Sequence, residues 1–176
     1  MDHSQPQFGK DTVAFASILS GAYASAAVAL LFLVIDAFRG DPFFTPSLMG
    51  SAVLLGSTPS ADLPVRIDMV AFYSFLHVVV FALVGTAFTL LGIRFAGLVR
   101  HPLLLTSSVF GALTLGIIGL DGLFFPGLVG TIGLLPLVGA NLAAAAVMSA
   151  FIRSTLSSVE PRGVVDHVVK AVSPAA

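Results

Sequence analysis

Four apolar stretches, 13–38, 69–93, 103–122 and 134–152, dominate this chain and leave it few ways to fold. A bilayer core of about 30 Å is crossed by about 20 helical residues, and each stretch is of that order. Lipid offers the backbone no hydrogen bonds, so each stretch must close its own ladder as an α-helix. The expected fold class is therefore all-α, a bundle of four transmembrane helices. Composition agrees: the chain is 57% hydrophobic and 10% charged, against about 25% charged residues in an ordinary soluble domain. In this reading residues 1–12 form an N-terminal tail, 13–152 one transmembrane domain, and 153–176 a C-terminal tail that carries one or two amphipathic turns on the inner surface. Ala22-Tyr23-Ala24 has the small-x-small form of a signal-peptide cleavage site. The apolar run continues past it, however, and reads as a retained span.

Lys and Arg set the expected orientation. With four spans, Lys10, Arg94, Arg100, Arg153, Arg162 and Lys170 share one side, and Arg39 and Arg66 hold the other. Positive charge accumulates on the cytoplasmic side, so both termini are expected in the cytoplasm of a bacterial inner membrane protein.

Between the first two spans lies "DPFFTPSLMGSAVLLG" (41–56), too greasy for an ordinary loop and too short to cross. Thr45-Pro46 reads as its helix start, hydroxyl cap followed by proline at the first helical position. The ten residues 47–56 then make a short helix at the outer interface, about 15 Å long. "DGLFFPGLVGTIGLLP" (121–136) matches the same segment without a gap at a shift of 80, through Asp41/Asp121, Phe44/Phe124, Pro46/Pro126, Leu48/Leu128 and Gly50/Gly130 among others. The match suggests a duplicated two-helix repeat about an axis along the membrane normal, its second copy running almost directly into the fourth span.

Small residues recur at four-residue spacing: Ser17, Gly21, Ser25 and Ala29 on the first span, Gly85 and Thr89 on the second, Ser108, Ala112 and Gly116 on the third, Asn141, Ala145 and Ser149 on the fourth. Such faces let transmembrane backbones approach closely. Trp is absent, and tyrosine occurs only at 23 and 73. That weakens the usual interfacial belt and favours a rim covered by partners.

Chemistry-bearing residues are few. His77 is the one histidine inside a span, with Tyr73 one turn above it; Thr114 and Asn141 fall at a similar depth. Intramembrane ionisable groups are functional candidates. The plainer reading is a structural polar cluster of His77, Asn141, Thr114 and Tyr73. The sharper one makes His77 the axial ligand of a chlorophyll-type pigment or of a haem whose second ligand comes from elsewhere. Asp36 and Arg39 are expected to pair at i,i+3, and helix-end carboxylates such as Asp36 and Asp121 are ordinarily solvated, so a proton relay through them is the weaker reading. Cysteine is absent, no histidines have metal-ligand spacing, and no Ser-His-Asp set, phosphate loop or HExxH occurs. A net charge of −1 gives no nucleic-acid footprint.

"LFLVIDAFRGDPFFTPSLMGSAVLLG" (31–56), "YSFLHVVVFALVG" (73–85) and "GANLAAAAVMSAF" (139–151) together resemble a family of small bacterial four-helix membrane proteins in which a Phe-Phe-Thr-Pro loop, a Tyr-x-x-x-His helix and an Asn-Leu-Ala-Ala-Ala-Ala run recur. The resemblance implies the four-helix topology and a pairing of His77 with Asn141, and no activity. The expected function is a non-catalytic integral membrane subunit, with no enzymatic role, that packs among other membrane subunits and lipids of a photosynthetic or respiratory assembly. Pigment or haem binding through His77 and a small homo-oligomeric transporter are the alternatives.

Overall fold

The computed structural model describes residues 8–159, with side-chain surroundings from 13 to 156. The amphipathic reading of the C-terminal tail falls outside the described residues. Among the described residues seven helices follow in order: α1 Phe8–Arg39, α2 Phe44–Leu55, α3 Ile67–Arg94, α4 Ala96–Arg100, α5 Pro102–Leu123, α6 Leu128–Ile132 and α7 Leu134–Val159. Among the described residues there is no strand. Four helices, α1, α3, α5 and α7, are long and apolar enough to cross a membrane. The protein is an all-α bundle of four spanning helices with a shorter apolar helix, α2, between the first two.

α1 and α7 form the central pair, α3 leans on α1, and α5 leans on α7. α3 and α5 share no comparable interface, so the bundle is open along that side. Small residues explain the tight joints. Ser17, Ser20, Ala24 and Ser25 of α1 are buried, as are Gly85 and Thr89 of α3 and Ala144, Ala145 and Ser149 of α7. At the α1–α3 crossing a Cβ on Gly21 would overlap the Phe81 carbonyl and come within 2.6 Å of the Ala82 Cα, while one on Gly85 would lie 2.8 Å from the Ser17 oxygen. Only glycine fits where two backbones meet this closely.

The stripe expected on the third span behaves otherwise. Ser108 is half-buried, Ala112 and Gly116 are exposed, and a Cβ on Gly116 would meet nothing within 4 Å. α5 is held by Leu105 and Val109, both fully buried, rather than by its small residues. On α1, too, the stripe ends early, since Ala29 is exposed.

α2 is covered by protein. Its residues 47–52 are buried, and Leu48 and Met49 join Leu128 and Ile132 of α6 in one apolar cluster. The two short helices thus close one end of the bundle together. The segment of the second copy leads almost directly into the last span, with one residue between α6 and α7. Gly133, at φ 99°, breaks it into the separate turn α6 before α7 begins. That backbone region is open to glycine at no steric cost.

Candidate functional site

The closed end is tied together by side chains that reach backbone ends. Asp36 is fully buried; its Oδ2 accepts from the Thr45 backbone N–H at 2.7 Å and its Oδ1 from the Thr45 hydroxyl at 2.9 Å. This corrects the expected helix start, because Thr45 spends its hydroxyl on Asp36 instead of capping its own turn. α2 accordingly begins at Phe44, with Pro46 inside its first turn. Phe43 at the N-cap adopts φ 71°, a left-handed conformation that costs a bulky residue about 1–2 kcal/mol. The buried carboxylate cap at the positive end of the helix dipole offsets that strain.

The expected Asp36–Arg39 pair is likewise replaced. Arg39 turns to the far end of α6, donating to the Ile132 carbonyl from Nη2 at 3.4 Å and Nη1 at 3.5 Å. A guanidinium at a helix C-terminus meets the negative end of its dipole. Asp121 Oδ1 accepts from the Val129 N–H of α6 at 2.8 Å, and Ser47 Oγ accepts from the Arg66 N–H at the start of α3, also at 2.8 Å. Each carboxylate therefore binds the second residue of a short helix, Thr45 in α2 and Val129 in α6. By role the partner of Asp121 is Asp36, whereas the 80-residue register pairs it with Asp41, which is exposed.

Below this closure lies a cavity of about 540 Å³, walled by α1, α3, α5 and α7 and roofed by α2. Its size falls within the ~300–1,000 Å³ of small-molecule sites. Small residues make the room: Ala22, Ala26 and Ala29 on α1, Ala112 and Gly116 on α5, Ala140 on α7. No Asp, Glu, Lys or Arg lines it, and its polar groups come from Ser25, Thr45, Tyr73, Ser74, His77 and Asn141.

The four residues of the expected polar cluster form two separate pairs. Tyr73 Oη lies 3.3 Å from His77 Nδ1, a contact that closes when the tyrosine donates and the ring carries its proton on Nε2. Asn141 Nδ2 donates to Thr114 Oγ1 at 3.2 Å. The anticipated His77–Asn141 bond is absent because α3 packs on α1, so the imidazole turns toward the Ser25 backbone, while Asn141 on α7 turns toward α5. The geometry toward Ser25 stops short of a hydrogen bond, and Nε2 is buried without a partner. As placed, the ring engages Tyr73 with one nitrogen and buries the other against α1. Among the described residues, no three His, Asp or Glu side chains cluster as a metal site.

Fold and cavity define the class, a multi-pass helical membrane protein with an apolar chamber between its spans. Comparison with protein-family models, with curated proteins and with solved structures finds no match.

Proposed function

We propose that the protein is a non-catalytic subunit of a larger membrane assembly, seated in the bacterial inner membrane with both termini in the cytoplasm. The observation that carries this reading is the outer face of α5. Gly111, Gly119 and Gly122 share that face with Ser108 and Leu115 at helical spacing, and a Cβ on any of the three glycines would meet nothing within 4 Å. Each glycine costs a helix about 1 kcal/mol relative to alanine. Among the described residues nothing packs on these glycines to offset that cost. A transmembrane helix of another subunit, approaching α5 backbone to backbone, does so through close van der Waals contact.

Leu115 is 71% exposed and Leu104 52%, which gives the same face apolar side chains to flank such a crossing. The test is native electrophoresis after mild detergent extraction, comparing the wild-type chain with Gly111→Leu/Gly119→Leu. Wild type should migrate with a partner and the double variant alone, with helicity unchanged. Equal migration of the two, or wild type as a bare monomer, contradicts the proposal.

A further inference from the structure

We propose that the cavity beneath α2 is a binding site for a neutral amphiphile with a flat, carbonyl-bearing ring and an apolar tail, the chemistry of a prenylated quinone. The inference does not rest on partner docking: on α5 the cavity-lining Gly116 and Leu120 lie about 100° or more around the helix from Gly111, Leu115 and Gly122, and Ala112 borders the glycine face near Gly119.

Three features select the ligand. The first is an aromatic ladder: Tyr73, His77 and Phe81 sit one turn apart on α3, all lining the cavity. Their ring centroids are 5.3 Å apart for Tyr73–His77 and 4.5 Å for His77–Phe81. The rings are tilted to one another by 37° and 44°, and three aromatic groups along one wall offer a planar ring the offset and edge-to-face contacts that a saturated chain lacks. Next is the donor set. Asn141 uses one amide hydrogen on Thr114 and has a second to give, and the hydroxyls of Ser25 and Ser74 also line the space. These groups suit a ring carbonyl.

The third is the lack of any lining Asp, Glu, Lys or Arg. A phosphate or carboxylate head would enter unpaired, which a low-dielectric site penalises heavily. Access is lateral, because α3 and α5 leave that side of the bundle open, so a tail can remain in lipid while the ring occupies the chamber.

The full chain carries its own reporter. It has no Trp and two Tyr, of which Tyr73 lines the cavity while Tyr23 stacks on Phe151 outside it. In Tyr23→Phe protein held in detergent, decylubiquinone should quench Tyr73 fluorescence saturably. Adding Gly116→Leu or Ala112→Leu, which fill the chamber, should weaken that binding by about tenfold or more at unchanged far-UV helicity. Tyr73→Phe protein, reporting through Tyr23, should show linear collisional quenching only. Linear quenching in the Tyr23→Phe protein, insensitive to both filling variants, would overturn the site. Saturable quenching relieved equally well by a plain phosphatidylcholine would overturn the ring-headed ligand in favour of an acyl chain.

Discussion

Asp36 is the residue whose removal should cost the fold most for the fewest atoms. Its carboxylate is fully buried and takes two hydrogen bonds from Thr45, which is itself 4% exposed. Asp36→Ala leaves the Thr45 N–H and hydroxyl without their acceptor, at about 1–3 kcal/mol for each orphaned group. Relief from burying a carboxylate recovers part of that, so the net loss should be about 2–4 kcal/mol. Asp36→Asn keeps one acceptor for the N–H, and the hydroxyl can turn to accept from the new amide, so about 1 kcal/mol is expected. Thr45→Val in the Asp36→Ala background removes one of the two orphans, and the double variant should be less destabilised than the sum of the singles by about 1 kcal/mol. Reversible unfolding in mixed micelles, followed by far-UV helicity, measures all three. A parallel readout is thiol labelling of Ala52→Cys, a position 1% exposed in α2. It should become accessible in the Asp36→Ala protein before the spanning helices melt. A cost below about 0.5 kcal/mol for Asp36→Ala, or strict additivity with Thr45→Val, would refute the idea that this carboxylate holds α2 in place.

Two further outcomes follow from the same geometry. Gly21→Ala drives a Cβ into the α3 backbone at Phe81 and Ala82, and should destabilise by about 1–3 kcal/mol as overpacking does; Gly97→Ala, where a Cβ meets nothing within 4 Å, should be neutral or slightly stabilising, and equal effects in thermal unfolding would refute the crossing. Single cysteines at Ser60 and Ser158 should label from opposite faces of intact cells, Ser60 from outside; outside labelling of both would reverse the charge-based orientation.

The long helices were legible because length and hydropathy act locally: any apolar run of this size must be helical in lipid, whatever its neighbours. α2 was legible through Thr45-Pro46 and the short apolar run after it, although its first turn begins earlier, at Phe44. What escaped was the closure. Helical spacing joins Asp36 to Arg39, yet the chain turns back after Gly40, and the fold brings Thr45 to the carboxylate and Ile132, 93 residues away, to the guanidinium. Such bonds leave no periodic trace. His77 and Asn141 were visible as rare polar residues in apolar runs, but their partners depend on helix order, and the packing of α3 on α1 and of α5 on α7 separates them into two pairs. The small-residue stripes carried the same ambiguity. Ser17 and Gly21 are buried at a crossing while Ala112 and Gly116 border a cavity, and spacing alone does not distinguish the two.

Docking of a partner helix on α5 is tested most directly by a photo-crosslinking residue placed at Gly119 in native membranes, with the same residue at Phe75 as control. Phe75 is 71% exposed on α3, far from the glycine face. Illumination should give one discrete protein adduct from position 119, identified by mass as another subunit, and only lipid adducts from position 75. Lipid adducts alone from position 119, or the same protein adducts from both positions, would contradict the role of this chain as a subunit docked through α5.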